Sequence, residues 1–209
     1  ILGGSTFSQV YDPATGQWSA TPEFSVARYE HTAMLLHDGT VLVLGGDPYN
    51  GDAAAASRYD PVNNRWLPTA RMLTRHSGST ATLLVDGRVL VIEGKRAEVY
   101  DPASDSWRKA ADLNVQRGRS TATLLADGQV LVAGGDDAAT AEVYDGQGDR
   151  LVPVAGAQGL TNHRFGEPFI QGRIATCDGR ATILTADADW TRVVATTLSQ
   201  GALSSRDLG

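Results

Sequence analysis

A basic side chain recurs at a fixed place in three successive repeats of this 209-residue chain. Each lies eleven positions before the glycine of an Asp-Gly pair; the three are Arg28, His76 and Arg117, with Arg75 and Arg119 close by. Arginine and protonated histidine donate charge-assisted hydrogen bonds to carboxylates, sulfates and phosphates. The pattern predicts that these cations gather around an anionic ligand. The alternative is that each one bonds the backbone of a neighbouring repeat.

The connections that lead to these basic positions are further candidates for ligand contacts. They span residues 21–30, 69–77 and 110–119, and a longer loop covers 47–54. Binding residues concentrate on loops that a rigid scaffold holds in place. Together with the aromatic and polar residues of the loops, the basic residues predict a ligand-binding rim. It is formed by Arg28, Tyr29, Tyr49, Asn50, Arg75, His76, Arg117 and Arg119.

A unit that recurs along the chain must position these residues. Its markers are a glycine pair or single glycine ending at Gly4, Gly46, Gly94 and Gly135, then Tyr-Asp at Tyr11, Tyr59, Tyr100 and Tyr144, then Trp18, Trp66 and Trp107. Markers that return every 41 to 48 residues indicate a repeat fold with one supersecondary unit per repeat. Apolar runs of four to eight residues between turn residues predict four β-strands in each unit.

The second unit shows the predicted pattern most clearly, with strands at 31–36, 41–44 and 55–59 and a fourth that begins at Trp66. Asp38-Gly39 is predicted to be a two-residue hairpin turn with positive φ at both positions. Gly45-Gly46 is predicted to admit the next element where a Cβ would clash. The regular tyrosines and tryptophans predict packing between sheets, with a partner for each O–H or N–H.

The pattern loosens after residue 153. A degenerate fifth unit is predicted, with strands at 173–177, 181–186 and 190–198, and residues 200–209 carry no strand signal. We therefore predict one repeat domain over 1–198, with 154–198 degenerate, and a C-terminal tail over 199–209. The chain begins inside a motif at Ile1, so we expect an incomplete first unit and a true N-terminus that lies elsewhere.

The second unit resembles the repeat of Kelch β-propellers, of the bacterial type similar to the central domain of galactose oxidase. The matching residues are Arg28, Leu35-Leu36, Asp38-Gly39, Val41-Leu42-Val43, Gly45-Gly46, Tyr59-Asp60-Pro61 and Trp66. The resemblance implies an all-β Kelch-like β-propeller of six or seven four-stranded blades, of which about four to five are present here. It also implies that the basic positions lie near the rim of a central channel.

The resemblance does not carry over the copper chemistry of galactose oxidase. That chemistry needs a cysteine crosslinked to a downstream tyrosine, and no tyrosine follows Cys177, the single cysteine of the chain. The histidines and the acidic residues likewise show no zinc-ligand or EF-hand spacing. We predict no metal and no cofactor.

The charge and hydropathy of the chain limit the classes of partner that we predict for it. The net charge is −6, and no cluster of lysines or arginines would follow a phosphate backbone, so we predict no nucleic-acid partner. No run approaches the roughly 18 apolar residues of a membrane helix, so we predict no membrane span. The composition is that of an ordinary globular protein.

The absence of a recognisable catalytic motif favours a non-catalytic binding module. It would present loops to a protein or carbohydrate ligand, and the part of the ligand that contacts the basic positions would be anionic. The setting would be bacterial and extracytoplasmic. One alternative is a sugar-modifying enzyme of the oxidase or epimerase type, with its site at the channel mouth. The other is a structural spacer. Further blades would come from a continuing chain or from a second chain.

Overall fold

The computed structural model describes residues 7–23, 28, 30–46, 53–118, 120–135 and 140–154, together with the backbone of strands at 174–177, 180–186, 193–199 and 202–207. Within these ranges the regular structure consists of β-strands. The predicted all-β class is confirmed. The strands are β1 (Gln9–Asp12), β2 (Gln17–Ala20), β3 (Thr32–Leu35), β4 (Val41–Leu44), β5 (Ala56–Asp60), β6 (Arg65–Pro68), β7 (Thr80–Leu83), β8 (Val89–Glu93), β9 (Arg96–Asp101), β10 (Ser106–Lys109), β11 (Thr121–Leu124), β12 (Val130–Ala133), β13 (Ala141–Asp145), β14 (Arg150–Pro153), β15 (Ile174–Cys177), β16 (Arg180–Ala186), β17 (Val193–Ser199) and β18 (Ala202–Asp207).

The strands form a series of sheets, each paired in chain order. Sheet 1 is the hairpin β1-β2, and sheets 2 to 5 are β3-β4-β5-β6, β7-β8-β9-β10, β11-β12-β13-β14 and β15-β16-β17-β18. In sheets 1, 2, 4 and 5 the neighbouring strands run antiparallel, as short connections between successive strands require. The predicted repetition of four-stranded units is therefore confirmed for sheets 2 to 4, and sheet 5 has one strand more than the three predicted for it.

The chain divides into two compact units. Unit 1 comprises Ile1–Val91 and Glu98–Lys109, and unit 2 comprises Ile92–Ala97 and Ala110–Gly209. The division passes through sheet 3, whose hairpin tip between β8 and β9 belongs to unit 2. The second strands of sheets 2, 3 and 4 are almost entirely buried, as expected of strands that other elements cover on both faces.

The Asp-Gly turns differ from the prediction. The Gly39 N–H donates to the Leu36 carbonyl at 3.1 Å, and the Leu36 N–H donates to the Thr40 carbonyl at 2.9 Å. The connection is thus a three-residue loop, 37–39, and its last residue, Gly39, has the left-handed conformation. Only the glycine has a positive φ, 81°, so the predicted pair of positive φ values is wrong. Asp38 stabilises the loop by accepting the Thr40 N–H at 3.0 Å.

The Tyr-Asp and tryptophan markers pack as predicted in sheets 2 and 3. The Tyr59 hydroxyl donates to Asn64 Oδ1 at 2.8 Å, and its ring lies 5.1 Å from that of Trp66. The Trp66 indole N–H donates to the Pro22 carbonyl, and in sheet 3 the Trp107 N–H donates to the Ala70 carbonyl. Each tryptophan therefore bonds the segment that leaves the preceding sheet.

Sheet 1 is the exception to this packing. Tyr11 and Trp18 still contact each other, with ring centroids 5.0 Å apart, but they are 47% and 51% exposed. Gly16 takes the place that Asn64 has in sheet 2, so the hydroxyl of Tyr11 has no equivalent side chain to donate to. The aromatic pair persists here without the burial it has elsewhere.

The end of the chain also departs from the sequence prediction. Residues 202–207 form β18, which pairs with β17 from Ser199↔Ala202 to Val194↔Asp207. The expected tail without a strand is therefore wrong. The segment Ala202–Asp207 contains no β-branched residue, so its intrinsic strand signal is weak, and pairing with β17 supplies what the local sequence does not.

Gly45 provides the close approach that the glycine pair predicts. Its φ is +69°, and a Cβ on it would lie 2.5 Å from the His76 carbonyl oxygen. The Gly46 N–H donates to the same oxygen at 3.0 Å. A side chain at Gly45 would therefore displace the backbone that leads into sheet 3.

We expect Gly45→Ala to destabilise the protein more than Gly134→Ala. The two glycines occupy equivalent positions with φ of +69° and +67°, but a Cβ at Gly134 would meet nothing within 4 Å. Gly134→Ala should cost only the left-handed conformation, about 1–2 kcal/mol. Gly45→Ala should add a clash worth about 1–3 kcal/mol. Urea unfolding followed by circular dichroism measures both; equal losses would contradict the steric role of Gly45.

Candidate functional site

The three recurring basic residues lie in the interior. Arg28 is 2% exposed, and His76 and Arg117 are 0% exposed. The side chains of Arg28 and Arg117 bond backbone carbonyls, as in the alternative prediction, but these carbonyls belong to the sheet that each arginine precedes rather than to a neighbouring repeat. The His76 side chain instead contacts the side chains of Thr74 and Glu98. A part for these three residues in ligand binding stays a prediction.

Arg28 and Arg117 bond their sheets in the same way. Nη1 of Arg117 donates to the carbonyls of Gly134 and Thr140 at 3.0 and 2.7 Å. Nη1 of Arg28 donates to the carbonyls at the equivalent positions, Gly45 and Ala55, at 2.5 and 2.9 Å. The arginine thus joins the end of the second strand to the start of the third.

A buried glutamate on the third strand completes the arrangement in sheet 4. Glu142 Oε1 accepts hydrogen bonds from Arg117 Nε at 3.2 Å and from the Val115 N–H at 3.3 Å. Its other oxygen accepts the Asn114 N–H at 2.8 Å and the Asn114 side-chain amide at 2.6 Å. The carboxylate therefore holds loop 110–117 through the backbone and neutralises the arginine.

Glu98 does the same for loop 69–77 in unit 1. Its two oxygens accept the N–H groups of Leu73 and Thr74, each at 2.8 Å. Oε1 also accepts the Thr74 hydroxyl at 2.5 Å and lies 3.1 Å from Nε2 of His76. Histidine here replaces the arginine of the other two repeats, and the geometry of the loop is preserved.

The electrostatics of these carboxylates follow from burial and hydrogen bonding. Burial alone raises the pKa of Glu98, but hydrogen bonds from His76, Thr74 and the Leu73 N–H outweigh it and hold the pKa below its ordinary value of 4.5. Burial lowers the pKa of Arg117, and the charge of Glu142 acts in the opposite direction. Glu98 is therefore held in its charged form by the loop that it binds.

The outward faces of the two loops differ although their inward faces match. In loop 69–77, Met72 and His76 point inward, and the exposed residues are Arg71, Leu73 and Arg75, with Leu73 58% exposed. In loop 110–117, Leu113 and Arg117 are buried, and the exposed residues at the matching positions are Asp112, Asn114 and Gln116. The same scaffold thus presents two chemically different surfaces.

The sequence prediction named only part of this surface. Arg75 is exposed as a rim residue would be, whereas Arg71 and Leu73 were missed. Alignment of the two loops on Met72 and Leu113 would have identified the outward positions. The predicted candidates Tyr29, Tyr49, Asn50 and Arg119 lie outside the described residues, as do the acidic loop residues Asp47, Asp52, Asp136, Asp137, Asp187 and Asp189.

The described residues lack both a metal-binding cluster and a membrane-spanning helix. No group of three or more histidine, cysteine, aspartate or glutamate side chains there is arranged to hold a metal ion. Among the same residues, no helix has the length and hydropathy needed to cross a bilayer.

Comparison with known proteins adds no assignment. No protein-family model matches the chain, and no curated protein matches it significantly. The contacts of the loops themselves are therefore the basis for a function.

We expect Glu142→Gln to destabilise its loop more than Glu98→Gln. Arg117 keeps its charge at any accessible pH, so loss of Glu142 leaves a buried cation without a counter-charge, at a cost of about 3–5 kcal/mol. Glu98 faces a histidine rather than a permanently charged arginine, so loss of its charge should cost only the hydrogen bonds to the loop, about 1–3 kcal/mol. Hydrogen exchange of the Asn114 and Val115 amides, against those of Leu73 and Thr74, measures the difference. Similar acceleration in both loops would refute it.

We also expect Glu98 to contribute to stability in a pH-dependent way. Because its pKa is lower in the folded protein than the ordinary 4.5, its contribution is present above about pH 4.5 and is lost as the pH falls through the folded pKa. The urea midpoint should therefore fall more steeply with acidification in the native protein than in Glu98→Gln. A difference between the two midpoints that stays constant from neutral pH to about pH 3 would exclude this role.

Proposed function

We propose that this chain is a non-catalytic binding module that recognises its partner through the exposed side chains of the loops leading into each sheet. The observation that carries the proposal is the contrast between matched loops. Loops 69–77 and 110–117 are held by equivalent buried glutamates, yet they expose Arg71, Leu73 and Arg75 in one case and Asp112, Asn114 and Gln116 in the other.

The way the loops are held supports recognition by a preformed surface. In loop 69–77 the N–H groups of Met72, Leu73, Thr74 and His76 all have acceptors within the protein. A loop whose backbone is already bonded loses little conformational entropy on binding, which favours affinity. It also leaves few backbone donors for a partner, so recognition would depend on side chains.

The Kelch-like β-propeller is the fold within which we place this function. Successive four-stranded sheets, of which sheets 2 and 3 are joined through the Gly45-Gly46 approach and Trp107, are consistent with propeller blades. In such a ring the incoming loops of all blades lie on one face, where their side chains together form a rim. The bacterial and extracytoplasmic setting implied by the resemblance belongs to the same proposal.

No observation favours the enzymatic alternative among the described residues. The histidine and glutamate that contact each other, His76 and Glu98, lie in the interior and hold loop 69–77. A general acid or base must reach the substrate proton directly or through one water molecule. These two residues therefore serve the scaffold.

The proposal predicts that binding follows the outward side chains. The triple variant Arg71→Asp, Leu73→Asn, Arg75→Gln gives loop 69–77 the outward residues of loop 110–117 and leaves every buried contact in place. We expect its stability to stay within about 0.5 kcal/mol of the native value, as is usual for surface substitutions. Its binding profile on an array of peptides and glycans should change.

The matched control is Arg65→Gln, an exposed substitution on β6 away from the loops, which should leave the profile unaltered. An identical profile for the triple variant would contradict recognition through loop 69–77. Retention of no peptide or glycan by the native protein would instead favour the spacer alternative.

A further inference from the structure

The geometry points to loop 69–77 as the docking surface for an acidic peptide segment of a partner protein, with an apolar side chain between its carboxylates. This inference rests on the proposed function and names the partner class for one of its loops. Its elements are the exposed side chains Arg71, Leu73 and Arg75, which we call the Arg-Leu-Arg row.

The shape of the row follows from the bonding of the loop beneath it. Met72 and His76 donate their N–H groups to the carbonyls of Ala54 and Ala53, both at 3.0 Å, so the loop is joined to the preceding segment at two points. Between these points the chain bends at Leu73 and Thr74, whose N–H groups bind Glu98. Leu73 therefore lies at the bend, with an arginine two positions away on each side.

The charge of the row selects an anionic partner. Arg71 and Arg75 place two exposed positive charges in one short loop of a chain whose net charge is −6. The Glu98 carboxylate beneath them is buried and already accepts hydrogen bonds from the loop and from His76. Guanidinium groups bind carboxylates in a bidentate manner, which gives the contact direction as well as charge.

The apolar residue at the bend favours a peptide over a sugar as the ligand. Leu73 is 58% exposed, and an aliphatic side chain gains most from contact with another aliphatic surface. Residues 69–77 contain no phenylalanine, tyrosine or tryptophan that would offer a flat face to a sugar ring. An extended peptide places its first, third and fifth side chains on one face, so Glu-Ser-Leu-Ser-Glu matches the order of charges and apolar group in the row.

The test uses the intact chain and fluorescently labelled peptides in a polarisation assay. The probe peptide carries Glu-Ser-Leu-Ser-Glu, and its two relatives carry Gln-Ser-Leu-Ser-Gln and Glu-Ser-Ser-Ser-Glu. A sulfated oligosaccharide of equal charge is the competing class of ligand. We expect saturable binding of the first peptide with a Kd on the order of 100 µM, weakened by added salt because exposed ion pairs are screened.

Variants of the row supply the decisive comparison. Arg71→Gln and Arg75→Gln should each weaken binding about 2- to 5-fold, the range of an exposed ion pair, and Leu73→Ser should remove the preference for the leucine peptide. The matched control is Arg65→Gln on β6, which removes an exposed arginine away from the loops and should leave binding unchanged. Circular dichroism and thermal unfolding would confirm that the exposed substitutions preserve the fold.

Three results would overturn the inference: no saturable binding of the acidic peptide, equal binding of the glutamine peptide, or tighter binding of the sulfated oligosaccharide. If any of these is found while the triple variant of loop 69–77 still changes the array profile, the proposed function stands and only the partner class is wrong. If the array profile does not change either, both fail.

Discussion

The buried carboxylate on the third strand is the interaction on which sheets 3 and 4 depend. Glu98 and Glu142 each accept two successive backbone N–H groups of an incoming loop while contacting the basic residue that ends it. A buried carboxylate is costly to desolvate unless its charge and its lone pairs are satisfied. Here the loop and the basic residue satisfy them, so the strand, the loop and the basic side chain are stable only together.

The same basic residue also connects successive elements through its backbone. Within unit 1 the His76 carbonyl accepts the Gly46 N–H, and within unit 2 Arg117 exchanges two backbone hydrogen bonds with Gly94. The side chain therefore bonds the sheet that follows, while the main chain bonds the segment that precedes. The side-chain contacts explain why a basic residue recurs at a buried position where an apolar residue would otherwise be expected.

The repeat could be predicted from sequence because its markers are residues with one dominant structural use. Tyr59, Trp66 and Gly45 behave as expected, since aromatic packing and close backbone approach leave few alternatives. The Asp38-Gly39 turn was mispredicted because residue types alone do not distinguish a two-residue loop from a three-residue one. The strand β18 was missed because its residues have a weak intrinsic strand signal and its pairing with β17 supplies what the segment itself does not indicate.

The candidate site was harder to predict for a physical reason. A glutamate such as Glu98 alternates with apolar residues along its strand, so the sequence pattern indicates a solvent-facing position, whereas the structure buries it. The burial of Arg28 and Arg117 likewise depends on carbonyl acceptors that no spacing specifies. The outward residues became recognisable only when the inward contacts of two loops were matched.

The use of main-chain donors by Glu98 and Glu142 bears on how such a protein can evolve. Every residue except proline has a backbone N–H, so the position of Leu73 accepts almost any side chain without loss of the bond to the carboxylate, whereas Asn114 adds a side-chain bond to Glu142. Mutations at positions of the first kind are therefore close to neutral for folding and are free to drift or to be selected. A duplicated repeat can in this way diversify its surface while its interior stays constant, and foreign loop sequences without proline at the bonded positions should be tolerated as grafts.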